Sequence, residues 1–116
     1  MSFDIIFTSP SQETYDRLES AAKKSFENRQ KIKSKKTSKQ EGLFKQVHKT
    51  ISFLGENPKH NSLNTHEYDS LENPYDSNEK VFEAYVQNNT PGAYRIFWCY
   101  GPNKKEITII AITPHP

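Results

Sequence analysis

The chain has one cysteine, Cys99, so it cannot form an internal disulfide, which fits a reducing compartment. It is also poor in apolar residues, at 33% with a mean hydropathy of −0.91. No apolar run approaches the roughly 20 residues that cross a bilayer. The N-terminus opens on a strand-like segment rather than a basic-then-apolar leader. These absences predict a cytoplasmic protein with no membrane partner. There is no G-x-S-x-G, no Walker loop, no G-x-G-x-x-G and no H-E-x-x-H. Hydrolases of those types, NTPases and dinucleotide enzymes are therefore poor candidates. His60 and His66 are not at metal-ligand spacing, and a lone cysteine cannot complete a zinc site. Neither a metal nor a cofactor is expected.

What the chain does have is aromatic residues and an uneven charge. Its 116 residues predict one domain, 1–116, with a core of moderate size. Seven Phe, six Tyr and one Trp help to build that core, because each buries a large area. The net charge is only +2, but residues 1–60 hold 12 Lys/Arg against 7 Asp/Glu, and residues 61–116 hold 4 against 7. The basic charge gathers between Lys23 and Lys49, with Lys31, Lys33, Lys35, Lys36 and Lys39 closely spaced. Such a block is either a solvated helix connection or an electrostatic footprint for a polyanion or an acidic protein.

The periodicity predicts an α+β fold. Phe3–Phe7 reads as a short strand. Ser9-Pro10-Ser11-Gln12 reads as a helix start, with Ser9 at the N-cap and Pro10 in the first turn. Tyr15, Leu18, Ala22 and Phe26 then form one apolar face to about Asn28 or beyond. Gln30–Gln40 is a polar, basic connection. Leu43, Phe44, Val47, Ile51 and Leu54 mark a second helix, ended by Gly55 and Pro58. Residues 57–80 are rich in Asn, Ser and Pro and predict a long irregular loop, of the kind that is functional or disordered in a small domain. Val81–Val86 is a strand, and two aromatic and β-branched runs around Gly101-Pro102-Asn103 form a hairpin. The order is β-α-α-β-β-β, a small, mainly antiparallel sheet with a helical hairpin packed on it.

Three polar residues stand out. Arg95 lies inside an otherwise apolar strand and needs a partner or a task. It can pair with Glu83 across adjacent strands, or its planar fork can take a phosphate; the two are compatible if a substrate competes for the pair. His115 follows the last strand between two prolines, either as a loose terminal residue or as an imidazole suited to proton transfer near neutral pH. His66 lies in the long loop, where it can cap or pack it.

Asn57-Pro58, Val81-Phe82-Glu83, Ala93-Tyr94-Arg95-Ile96 and the ending Ile112-Thr113-Pro114-His115, taken in this order, resemble the RelE/ParE toxin superfamily. The resemblance covers most of the chain and is strongest over residues 81–115. It implies a small toxin of a bacterial toxin–antitoxin pair. RelE-like members cut mRNA on the ribosome without metal, whereas ParE-like members inhibit DNA gyrase. By position, Arg95 matches the arginine that steadies the scissile phosphate. His115 matches a histidine that serves some members as general acid. Glu83 matches an acidic strand residue, and Tyr85 stands where that pattern commonly has an arginine. On this reading Glu83 and His66 are both candidates for the general base, and Lys31, Lys33, Lys35, Lys36, Lys39 and Lys49 would hold RNA phosphates. An antitoxin would be the cognate partner, with mRNA and the ribosome as targets. The alternatives are a non-enzymatic gyrase inhibitor and a catalytically degenerate member that only binds.

Overall fold

The structure, a computed structural model, is described here for residues 2–87 and 92–114. Strand β1 (Asp4–Phe7) leads directly into helix α1 (Ser9–Lys31). The N-cap is Thr8 rather than Ser9. Thr8 is extended, with φ −69° and ψ 162°, and its hydroxyl accepts the Ser11 amide. Ser9 is already helical, and Pro10 sits in the first turn, where its missing N–H costs nothing. Leu18 and Ala22 face the core, whereas Phe26 is 41% exposed and lies under the Arg29 guanidinium.

Helix α2 (Lys39–Glu56) begins four residues before the first residue of its apolar stripe. The reason is local. Ser38 Oγ accepts the Glu41 amide while the Glu41 carboxylate accepts the Ser38 amide, a reciprocal cap. Glu41 also accepts from Arg29 Nε at 2.8 Å, which ties the end of α1 to the start of α2. The basic connection is thereby cut to a tight turn, with Ile32 68% exposed at its edge.

The sheet has five strands in the order β1-β5-β4-β3-β2, one more than the sequence order implied. The added strand, β2 (His66–Glu67), lies inside the loop that was expected to be irregular, just after a 3-10 turn at Asn61–Leu63. It pairs antiparallel with β3 (Phe82–Tyr85), which pairs with β4 (Tyr94–Tyr100), which pairs with β5 (Glu106–Pro114). β1 runs parallel to β5. Along β5 the partner steps from Ala111, opposite Phe97, to Ile109, opposite Trp98. Ile110 is the extra residue of a β-bulge, so Ile107, Ile109 and Ile112 all reach one face despite their odd spacing. On that face they meet Ala84, Ile96 and Trp98 of the sheet and Leu18, Val47, Ile51 and Leu54 of the two helices.

The other face carries no helix. Strand alternation places Glu83, Arg95, Phe97, Cys99 and Thr108 there. The rest of the long loop packs on this side: the Tyr68 ring lies 4.5 Å from Phe97, and the Tyr75 hydroxyl bonds Thr108 Oγ1 at 2.8 Å. Asn73 is buried and holds the loop by donating to the Lys80 carbonyl and accepting the Tyr75 amide. Among the described residues, no helix is long and apolar enough to cross a membrane.

Candidate functional site

Glu83 is the centre of the helix-free face. It sits in the middle of β3, 3% exposed, between Arg95 and His66. Arg95 Nη1 donates to its Oε2 at 2.6 Å, and His66 Nε2 lies 2.6 Å from its Oε1. A carboxylate this buried needs such partners, because an isolated charge in the interior is costly. Strand β2 supplies one of them by setting His66 directly opposite Glu83. Asn64 prepares that placement. It adopts the left-handed conformation (φ 47°, ψ 42°), and its carbonyl lies 3.1 Å from His66 Nδ1. Both ring nitrogens of His66 therefore face oxygen acceptors, and an imidazolium can donate to both.

Arg95 is held from several sides. Its guanidinium lies 4.7 Å above the Phe97 ring and 5.6 Å from the Tyr68 ring, a cation–π cradle. Its Nε is buried and has no hydrogen-bond partner among the described residues. An N–H beside a committed ion pair is a place for one more acceptor, and an anion suits it best. Tyr85 faces Arg95 across the strands, and its ring lies 5.4 Å from His66. Burial pushes its phenol above the usual range; the Glu83 carboxylate adds to the rise and Arg95 opposes it.

The structure thus brings together three of the residues expected from the sequence, Arg95, Glu83 and His66. His115 lies outside the described residues. Lys31, Lys33, Lys35, Lys36, Lys39 and Lys49 are all exposed on the helical hairpin, and among the described residues none forms an ion pair. Lys49 instead lies over the Phe53 ring at 5.6 Å. His60 is structural: its Nδ1 caps the 3-10 turn through the Ser62 amide, and its ring stacks on Phe53. Cys99 shares the face with Arg95, but burial pushes its thiol up to about 11, so it is not a nucleophile. Among the described residues, no group of His, Cys, Asp and Glu could hold a metal ion. Sequence reasoning missed Asn64, Tyr68 and Tyr85 as parts of the site. The available signal was the residue type at Asn64, since Asn tolerates the left-handed conformation that sets up His66.

Clefts adjoin the sheet, two of which lie near the residues of interest. The larger, about 650 Å³, has Phe82, Trp98 and Tyr100 in its wall; Phe82 and Trp98 belong to the helix side, so it does not share the face of Arg95. The other, about 550 Å³, shares Asn64 and Tyr85 with the surroundings of His66.

No protein-family model matches the sequence, and no curated protein matches it. Solved structures do. The YoeB dimer from Staphylococcus aureus superposes with a TM-score of 0.61 at 10% identity, over 100% of both chains. The chain has the RelE/ParE toxin fold. The archaeal RelE-RelB complex from Pyrococcus horikoshii OT3 gives 0.57 at 13% identity, over 98% of this chain and 96% of that one. The YoeB/ParE toxin from Agrobacterium tumefaciens gives 0.56 at 10% identity, over 97% and 99%. The likeness covers the whole RelE/ParE architecture, helical hairpin and sheet together. In this setting the RelE/ParE sheet presents Arg95 and Glu83 from its central and penultimate strands, on the face without helices.

Proposed function

We propose that the chain is the toxin of a toxin–antitoxin pair and that it cleaves mRNA, on the ribosome, without a metal. The observation that carries this reading is the Arg95–Glu83–His66 cluster, with an unpartnered Arg95 N–H buried beside the ion pair. Such a cluster offers a fixed cation and two groups able to move a proton, which is what phosphodiester transfer to a neighbouring hydroxyl requires.

The reaction follows from those groups. The ribose 2′-oxygen attacks the adjacent phosphorus, its proton passing to a base. The 2′-O–P bond forms, the P–O5′ bond breaks, and the leaving 5′-oxygen takes a proton. The products are a 2′,3′-cyclic phosphate and a 5′-hydroxyl. Arg95 faces the charge that develops on the phosphoryl oxygens. Glu83 is the base once substrate phosphate draws Arg95 away from Oε2, and His66 steadies or relays the proton through Oε1. His115, by the resemblance of the Ile112–His115 ending, is the acid. The lysines of the hairpin hold RNA phosphates through salt-sensitive contacts. An antitoxin is the cognate partner, and a short neighbouring gene for an acidic protein would fit that role.

The test is expression from a tightly repressed promoter, with growth and mRNA 5′ ends followed together. Growth arrest with new 5′-hydroxyl ends inside codons is expected, and both effects should be lost in Arg95→Lys and Glu83→Gln, which keep the size of the side chains. Arrest with intact mRNA and inhibited supercoiling would move the assignment to a gyrase inhibitor. Unimpaired growth would leave a binding protein of the same fold.

A further inference from the structure

The 550 Å³ cleft opens at the end of β3 and is walled by Gln46, Ser62, Asn64, Tyr85 and Gln87. It is a neutral, polar space beside an ionic one. None of these five side chains carries a formal charge; three are carboxamides, one is a hydroxyl and one is a phenol ring. The amides are set by specific bonds. Gln87 Oε1 accepts the Tyr94 amide at 2.8 Å, and Gln87 Nε2 donates to Gln46 Oε1 at 3.2 Å. The Gln46 amide group is therefore oriented by Gln87, and its own N–H donors have no partner among the described residues. The cleft is joined to the ionic cluster at two points. Tyr85 lies 5.4 Å from His66, and the carbonyl of Asn64 faces His66 Nδ1.

This wall selects a class of ligand. An anion would find no cation among these five residues, and a purely apolar ligand would leave the carboxamides unpaired. A flat, neutral heterocycle with donors and acceptors on its edge suits both the ring and the amides. A volume of about 550 Å³ falls in the range of about 300–1,000 Å³ typical of small-ligand clefts. We propose that the cleft is a nucleobase subsite, which takes the base attached to the phosphate held at Arg95, with Tyr85 stacking on the base and Gln46 and Asn64 reading its edge. The placement of the phosphate rests on the function proposed above; the chemistry of the cleft does not.

The experiment is a titration of the isotope-labelled protein with the four 3′-mononucleotides, the four nucleosides and inorganic phosphate, followed by amide resonances. The nucleotides should shift Tyr85 and Gln87 and the side-chain amide of Gln46, with dissociation constants that differ among the bases. Base–aromatic stacking is substantial, so Tyr85→Leu should weaken nucleotide binding by about fivefold or more. Tyr85→Phe should retain it, which separates loss of the ring from loss of the fold. Gln46→Ala should bring the four constants together. Phosphate alone should bind wild type and all three cleft variants equally. Nucleotides that bind no better than phosphate, or four equal constants in wild type, would overturn the subsite while leaving the phosphate site at Arg95 intact. Nucleosides that shift the cleft, with nucleotides gaining nothing from Arg95, would keep the subsite and overturn the proposed role of Arg95. No shift from any nucleotide or nucleoside would overturn the subsite.

Discussion

Arg95 does not face the carboxylate with which it pairs. Its partner position across the strands is Tyr85, and Glu83 faces Phe97. The 2.6 Å contact between Arg95 Nη1 and Glu83 Oε2 is a diagonal one, spanning two residues along the sheet. A long side chain reaches such a neighbour, and the diagonal lets the guanidinium lie across Phe97 on its way. The ion pair and the cation–π cradle are therefore one arrangement.

Loss of Arg95 should be felt in stability as well as in activity. Arg95→Leu leaves Glu83 buried with His66 as its remaining side-chain partner, and breaking a buried pair in this way costs about 3 kcal/mol. Urea denaturation at neutral pH measures it. The double variant Arg95→Leu/Glu83→Leu should recover much of the loss, because no charge is then left buried. If the double variant is as unstable as the single one, the cost lies in packing against Phe97 and Tyr68 rather than in the unpaired carboxylate.

The lysines should act on binding and leave the fold alone. Lys33, Lys35 and Lys36 are exposed on the turn between the helices. Reversing all three to Glu should weaken ribosome or RNA binding, and each lost phosphate contact should change the log–log salt slope by about 0.7 to 0.9. Stability should move by no more than about 0.5 kcal/mol per substitution. An unchanged salt slope would mean that these lysines are a solvated turn and nothing more.

Acid should weaken the cap that ties the two helices together. The Ser38 amide, then the Arg29 guanidinium and the Ser38 hydroxyl, hold the Glu41 carboxyl below its ordinary range. A carboxyl depressed in the folded state contributes its stability fully above the unfolded value and loses it as pH falls through the lower, folded one. Glu41→Gln should therefore flatten the acid limb of the unfolding curve and lower stability at neutral pH. Ser38→Ala removes the cap itself and should cost about 1 kcal/mol at neutral pH. Parallel acid limbs in wild type and Glu41→Gln would show that Glu41 has no part in acid sensitivity.

Cys99 should be silent in the native protein. Its thiol is buried and pushed up to about 11, so thiol reagents at mildly alkaline pH should label it only on unfolding. The sign of the linkage follows. The unfolded thiol ionises near its ordinary value while the folded one keeps its proton, so stability declines as pH rises between that value and about 11. Rapid labelling without unfolding would place Cys99 at an accessible surface.

The elements legible in the sequence are those whose signal is repeated along the chain. The stripe Leu43–Leu54 and the alternation of Tyr94–Tyr100 each carry several apolar positions, and both became elements near the expected bounds. The helix starts were displaced because a cap is decided by one side chain: Thr8 outcompetes Ser9, and the Ser38–Glu41 pair extends α2 toward the N-terminus. Strand β2 was hidden because two residues cannot show a period; His66 and Glu67 become a strand only because Glu83 and Phe82 lie opposite. The odd spacing of Ile107, Ile109 and Ile112 follows from the bulge at Ile110, which has no residue-type signature of its own in this strand. Arg95 could be singled out as a charge in an apolar strand. His66 could be named from its place in the loop, but not its contact with Glu83, which strand pairing alone creates.

That bulge has a consequence for the order in which the molecule can be finished. Its carbonyls are not idle: Thr8 Oγ1 donates to the Ile110 carbonyl at 2.8 Å, and Ser11 Oγ donates to the Ile109 carbonyl at 2.7 Å. The opening turn of α1 is thus clasped to a strand about a hundred positions further along, and β1 leans on the same strand. A chain synthesised from its N-terminus carries β1 and α1 without the strand that holds them until β5 has been made. Contacts of such long range form late and slowly. The clasp therefore joins β1 and α1 to the strand that flanks Arg95's own, and it can engage only after β5 has been made.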